Sequence, residues 1–183
     1  MNNIMIEKLP SVTFKIRATN EFENDDICFM DGENPWTDVT SDEMFGNKRV
    51  LIFSLPGAFT PTCTSQQLPG FDAMFNDLKN LGIDEIYCIS VNDSFVMNAW
   101  SQKLDVKNIK LIPDGTGEFT KKMGMLVNKD HLGFGMRSWR YAVIANNMNI
   151  EHLFEEPGKN DSGDDDDPYI ETSPENILNK LKS

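Results

Sequence analysis

The feature that most constrains the fold of this 183-residue chain is a predicted strand with the composition of a buried one, followed by a tight turn and a predicted helix. Residues 49–55 form a short, continuous, β-branched apolar run, which is typical of a strand covered on both faces. Pro56 and Gly57 follow, and from residue 63 to 79 apolar side chains repeat at helical spacing. A strand–turn–helix unit of this kind indicates an α/β layer fold.

The remaining segments extend this pattern. A central mixed sheet flanked by helices is therefore predicted, with parallel strands first and an antiparallel pair later. Residues 1–183 are interpreted as one domain, and residues 159–167 as a mobile acidic surface loop. The predicted strands are 12–17, 27–30, 36–40, 85–91, 109–112, 141–145 and 149–154, and the predicted helices are 41–45, 94–104, 117–123 and 174–181.

The charge balance excludes some classes of partner. The chain has 29 acidic and 17 basic residues and a formal net charge of −12, so nucleic acids and anionic membranes are not expected to bind it. No apolar run is long enough to span a bilayer, and the first ten residues lack a secretory signal pattern. We therefore expect a cytoplasmic protein.

The cysteines indicate a reactive thiol rather than a disulfide framework. Cysteines at 28, 63 and 88 form no C-x-x-C pair, which excludes a thioredoxin-type dithiol and a four-cysteine zinc site. Cys28 and Cys88 lie in apolar runs and are expected to be core residues. Cys63 lies at a predicted helix start, where unpaired N–H groups and the helix dipole favour the nucleophilic thiolate. We expect its sulfur to be open to small oxidants.

The segment Pro-Gly-Ala-Phe-Thr-Pro-Thr-Cys at residues 56–63 resembles the peroxidatic-cysteine motif of peroxiredoxins, in the form of the type-five, atypical class. Segments 90–100, 113–119 and 135–141 are also similar to that class, and the resemblance extends over roughly residues 8–181. It implies a thioredoxin-like fold. The resemblance is strongest to bacterial hybrid proteins in which a glutaredoxin follows this domain. No glutaredoxin dithiol follows here, so we expect any glutaredoxin to be supplied by another chain.

The resemblance also implies roles for individual residues. Cys63 would attack the peroxide O–O bond and become a sulfenic acid. Thr60 would hydrogen-bond the sulfur and the substrate oxygen, and Arg140 would favour the thiolate and bind the peroxide. The other expected substrate-binding residues are Pro56, Gly57 and Pro61, the last of which can shield the sulfur from water. Arg137 is a second nearby cation, which could orient acidic partners rather than touch the substrate.

These roles imply a thiol-dependent peroxidase that reduces hydrogen peroxide and alkyl hydroperoxides, without metal or cofactor. Residues 150–183 contain no cysteine that could resolve the sulfenic acid, which favours a one-cysteine mechanism. The expected reductant is glutathione with glutaredoxin, or another external thiol such as thioredoxin. The family resemblance implies a homodimer, with four aromatic residues as interface or pocket candidates: Phe59, Phe95, Phe134 and Trp139.

Other interpretations of the same residues remain open at this stage. A low-turnover redox sensor would also need a reactive Cys63. A cysteine hydrolase would need a base, for which His131 and His152 are the candidates. The aspartate run 164–167 could bind calcium but lacks the spaced ligands of an EF-hand loop, so a solvated loop is expected.

Overall fold

The computed structural model describes residues 6–17, 36–164 and 166–183. Besides α-helices and β-strands, these residues contain one π turn, Cys63–Gln67, and one 3₁₀ turn, Asp130–Leu132. In chain order the regular elements are β1 (Thr13–Arg17), β2 (Trp36–Thr40), α1 (Ser41–Phe45), β3 (Arg49–Ser54), α2 (Leu68–Ala73), α3 (Phe75–Lys79), β4 (Glu85–Ser90), α4 (Ser94–Lys103), β5 (Lys110–Pro113), α5 (Glu118–Lys122), β6 (Leu126–Asn128), β7 (Met136–Ser138), β8 (Tyr141–Asn146), β9 (Asn149–Glu155) and α6 (Pro174–Lys182).

The central sheet has five strands in the order β5-β4-β3-β8-β9. β3, β4 and β5 run parallel, whereas β8 is antiparallel to both β3 and β9. The mixed sheet flanked by helices that the sequence predicts is therefore confirmed. The pairing of β3 with β8 brings distant parts of the chain together. Ser54 lies opposite Tyr141, so the end of β3 meets the start of β8 although 87 residues separate the two positions.

Strand β3 is buried on both faces of the sheet, as its composition predicts. Leu51 and Phe53 point into one apolar cluster, and Val50 and Ile52 point into a second one on the opposite face. The rings of Phe53 and Phe71 stack at 4.0 Å, which attaches α2 to the sheet. The start of the helical region after β3 is thereby fixed against the central strand.

The helix predicted over residues 63–79 is interrupted. It begins with the π turn Cys63–Gln67, in which the Leu68 amide donates to the Cys63 carbonyl, and it breaks at Met74 between α2 and α3. Pro69 has no N–H and cannot make the regular bond to residue 65, which favours the wider turn before it. The prediction of one regular helix was wrong in this respect.

Three other segments are compared with the sequence-based expectations. The β6–β7 hairpin was not predicted, because strands of three residues carry too little alternation to be seen. The strand predicted over residues 27–30 lies outside the described residues, as does Cys28. Residues 159–164 and 166–167 are largely exposed, but Asp161 accepts a hydrogen bond from the Asn128 amide at 2.7 Å. No helix within the described ranges is long and apolar enough to cross a membrane.

Replacement of Phe53 by alanine should lower the free energy of unfolding by about 3–5 kcal/mol, because the fully buried ring leaves a cavity at the centre of the fold. Urea denaturation monitored by circular dichroism measures this change. Phe59→Ala is the matched control: its ring is 52% exposed, so a loss below about 1 kcal/mol is expected. Equal losses in both variants would contradict the assignment of Phe53 to the core.

Candidate active site

The loop after β3 is held at the carboxyl edge of the parallel strands. The Ala58 amide donates to Asn92 Oδ1 at 3.0 Å, and the Ser90 hydroxyl donates to the same oxygen at 2.7 Å. Ser90 ends β4, so the loops that follow two adjacent parallel strands are joined at one edge. Phe59 has a φ of +63°, a left-handed conformation that is costly for a side chain of this size. These hydrogen bonds thus hold the backbone of the loop in one conformation just before Cys63.

Cys63 lies at the beginning of a helical segment, as the sequence predicts. Pro61 and Thr62 already have helical conformation, and Cys63 is the first residue of the π turn. Only 1% of its surface is exposed, and the residue belongs to the apolar cluster beneath α2. The thiol is therefore more buried than the sequence predicted, and it lies below the surface, where charge interactions are screened less than in solvent.

Arg140 lies beside this sulfur. Its Nη1 is 3.5 Å from Cys63 Sγ, and its side chain is only 2% exposed. Because Tyr141 begins β8 opposite the end of β3, the residue before it is carried to the loop that precedes Cys63. Burial opposes the charge of Arg140, but the neighbouring Cys63 sulfur and the Asp167 carboxylate outweigh it and raise the pKa of the guanidinium. The group is therefore a permanent cation at the sulfur.

The other nitrogens of Arg140 are also occupied. Nη1 donates to Gln67 Oε1 as well as to the sulfur, and Nη2 pairs with Asp167 Oδ1. Nε donates to the Pro168 carbonyl at 3.1 Å, and the guanidinium lies 5.5 Å from the ring centre of Tyr169. This arrangement holds a planar cation in a fixed orientation.

Two of these partners were not identified from the sequence. Gln67 is fully buried four residues after Cys63, so helical spacing could have indicated that it shares a face with the thiol. Its Nε2 has no hydrogen-bond partner among the residues that the structure describes. Asp167 could not have been distinguished from the other aspartates of its acidic run.

Thr60 is placed differently from the expectation. Its hydroxyl donates to the Gly57 carbonyl at 2.6 Å, and no hydrogen bond from it to Cys63 is found in the described part of the chain. Its own carbonyl accepts from the Thr64 amide at 3.0 Å. With its proton committed to Gly57, the Thr60 oxygen can act towards a ligand only as an acceptor.

Arg137 contacts backbone carbonyls. Its Nε donates to Phe134 O at 3.1 Å, and its Nη1 lies 3.5 Å from Pro56 O. Among the described residues, its hydrogen-bond partners are therefore carbonyls and not the acidic side chains that the sequence suggested. A Cβ at Gly57 would lie 2.6 Å from Arg137 Nη1, so a larger residue at this position would displace that guanidinium. Burial lowers the pKa of Arg137.

The expected substrate-binding residues and aromatic candidates divide into buried and exposed groups. Pro56 and Gly57 are buried, whereas Pro61 is exposed above the helix start. Phe59 and Phe95 are exposed at the surface, but Trp139 is buried and its Nε1 donates to the Glu156 carbonyl at 2.8 Å, so of its two predicted roles only that of a pocket residue remains. Phe134 is partly buried.

Within the described residues, Cys88 and the two histidines form no second nucleophilic site. Burial, and then the charge of nearby Cys63, raise the pKa of the Cys88 thiol, which keeps it protonated in the core. His131 and His152 are both exposed. Neither forms a hydrogen bond with Cys63 within the described residues, so the base that a cysteine hydrolase needs is not in place.

A sequence comparison shows which family contains this site. The Redoxin family profile matches residues 7–171. A peroxiredoxin of Rhizobium etli is 54% identical over 181 residues, which cover 98% of this chain and 97% of the relative. The chain belongs to the peroxiredoxin family.

Two further similarities agree with the type-five resemblance and with the fold. Hybrid peroxiredoxin hyPrx5 of Haemophilus influenzae is 47% identical over 90% of this peroxiredoxin and 61% of the relative. The crystal structure of the Plasmodium falciparum antioxidant protein, a 1-Cys peroxiredoxin, superposes with a TM-score of 0.84 at 36% identity, covering 96% and 98% of the two chains. Family membership makes this peroxiredoxin a thiol-dependent peroxidase.

Replacement of Gln67 by leucine should slow peroxide reduction about tenfold, because Arg140 Nη1 then loses the acceptor that fixes it beside the sulfur. Stopped-flow measurement of peroxide consumption gives the rate constant. The neighbouring Gln66 is exposed, so Gln66→Leu provides a control with the same change of side chain. A Gln67→Leu rate equal to that of the control would show that this contact is dispensable.

Proposed function

We propose that this peroxiredoxin reduces hydrogen peroxide and alkyl hydroperoxides through Cys63 alone, with an external thiol as reductant. The observation that carries the proposal is the buried guanidinium of Arg140, 3.5 Å from the Cys63 sulfur. A permanent cation next to a sulfur that is shielded from water favours the thiolate, which is the reactive form.

The first step oxidises the sulfur by two electrons. The Cys63 thiolate attacks one peroxide oxygen, an S–O bond forms and the O–O bond breaks. The other oxygen leaves as hydroxide or alkoxide and takes up a proton, which yields water or an alcohol and a Cys63 sulfenic acid. Arg140 stabilises the negative charge that develops on the leaving oxygen.

Thr60 and the loop before it position the peroxide in this proposal. Because the Thr60 proton is donated to Gly57 O, the hydroxyl oxygen accepts the O–H of the peroxide and orients it towards the sulfur. Pro56 and Gly57 shape the buried wall of the site. Pro61, exposed and without an N–H, limits the access of water from above.

The second step restores the thiol with electrons from outside the chain. An external thiolate attacks the sulfenic acid, an S–S bond forms and water leaves; a second thiol then releases Cys63 and carries away the disulfide. Cys88 is fully buried in β4 and protonated, and residues 150–183 have no cysteine, so neither supplies a resolving thiol. The similarity to a 1-Cys peroxiredoxin supports this assignment.

Glutathione with glutaredoxin is the favoured reductant, and thioredoxin is the competing one. The similarity to a hybrid peroxiredoxin supports the first choice. We also propose a cytoplasmic homodimer. A reducing compartment suits three cysteines that form no C-x-x-C pair, and the exposed rings of Phe59, in the loop before Cys63, and Phe95, in α4, could take part in an interface.

Cys63→Ser should abolish peroxide consumption, whereas a variant with Cys28→Ser and Cys88→Ala should retain most of it. Alanine is used at position 88 because a serine hydroxyl would be buried without solvent in an apolar strand. The rates are measured with glutathione and glutaredoxin, and again with thioredoxin and its reductase. Loss of activity in the double variant would contradict the one-cysteine mechanism. Consumption of a single equivalent, with recovery by neither thiol system, would indicate a sensor instead of a turnover enzyme.

Arg140→Ala should slow the oxidation of Cys63 about 100-fold at pH 7, because both thiolate stabilisation and the oxyanion donor are lost. The pH–rate profile should move to higher pH, because the cation that favours the reactive thiolate is lost. Arg140→Lys should fall between the two, since lysine retains the charge but not the planar fork. An unchanged pH–rate profile in Arg140→Ala would remove Arg140 from the proposed mechanism.

A further inference from the structure

The segment that follows the acidic run lies against the catalytic arginine. We call residues 167–172 the strap. The strap contacts the guanidinium through Asp167 Oδ1, the Pro168 carbonyl and the Tyr169 ring. It occupies Nε and Nη2 of Arg140, which leaves Nη1 to Cys63 and Gln67. Because the guanidinium is planar and rigid, fixing two nitrogens fixes the position of the third.

The strap is itself anchored by a buried carboxylate. Glu156 is 1% exposed, and its Oε1 accepts from Ile170 N at 2.8 Å, Thr172 N at 2.9 Å and Thr172 Oγ1 at 2.8 Å. The Glu156 amide donates to the Arg140 carbonyl at 3.2 Å. One residue thus holds both the backbone of Arg140 and the segment that contacts its side chain.

We propose that Asp167 and Glu156 are positioning residues for peroxide reduction: they hold the strap so that Arg140 Nη1 stays on the Cys63 sulfur. This inference rests on the proposed roles of Cys63 and Arg140. It assigns the end of the acidic run to the active site, and it separates Asp167 from the solvated carboxylates beside it.

An ordinary surface ion pair between Asp167 and Arg140 would contribute little, since such pairs are screened by water. The burial of Arg140 argues against that interpretation. The Asp167 side chain is 46% exposed, but that of Arg140 is 2% exposed. Removal of the carboxylate leaves a donor of a buried cation without its acceptor, and the cation then turns towards other acceptors or admits water.

The test uses two adjacent aspartates. Asp167→Ala should reduce the rate constant for oxidation of Cys63 by hydrogen peroxide about tenfold and move the pH–rate profile to higher pH. Asp167→Asn keeps an oxygen acceptor and should recover part of the rate. Asp166→Ala makes the same change at an exposed position next in the chain and should leave the rate and the profile unchanged. Equal effects at positions 166 and 167 would mean that only the negative charge of the segment matters, and would overturn the proposal.

A double-mutant cycle separates this proposal from the proposed function. In an Arg140→Ala background, Asp167→Ala should have no further effect on the rate or on its pH dependence. If Arg140→Ala slows the reaction and Asp167→Ala does not, the proposed role of the strap is wrong, but the proposed mechanism is unaffected. If Arg140→Ala has no effect, the mechanism itself fails.

The anchoring role of Glu156 is tested by one mild and one severe substitution. Thr172→Val removes one of three donors to Glu156 and should give a small shift of the pH–rate profile in the direction of Asp167→Ala. Glu156→Ala removes the anchor and should give a larger shift, read only if circular dichroism shows a folded protein. A Thr172→Val variant with lowered thermal stability but an unchanged profile would assign Glu156 to stability alone and exclude it from positioning.

Discussion

The structure depends on one interaction, the contact between a buried guanidinium and a buried sulfur. Burying the Arg140 cation is unfavourable unless its donors are paired. Nη1 donates to Cys63 and Gln67, Nη2 donates to Asp167 and Nε donates to the Pro168 carbonyl, so each nitrogen has an acceptor. The same pairing that makes burial tolerable also fixes the cation where a thiolate needs it.

The sheet brings these groups together from distant parts of the chain. Because β8 runs antiparallel to β3, the residue before β8 reaches the loop after β3, and the loop after the parallel strand β4 contributes Asn92 to the same edge. The C-terminal segment then returns across Arg140 and is held by Glu156. The catalytic geometry is thus a consequence of strand order, and no single segment of the chain contains it.

The sequence predicts those parts of the fold that have strong local signals. The β-branched run of β3 and the helix start at Cys63 are examples, and the family motif led to Arg140, whose proximity to the thiol no spacing rule could have indicated. The burial of Cys63 and the contact with Asp167 depend on tertiary packing and were not predictable. Gln67 had a local signal, its spacing from Cys63, but a buried glutamine is not distinguishable from an exposed one by residue type.

The most direct test of this account is the thiolate absorbance of the folded protein in the ultraviolet at pH 7, compared with Cys63→Ser to isolate the sulfur at position 63. The account predicts that the difference between these two proteins falls when Arg140 is also replaced by alanine, because the cation beside the sulfur is lost. A difference that Arg140→Ala leaves unchanged would contradict it.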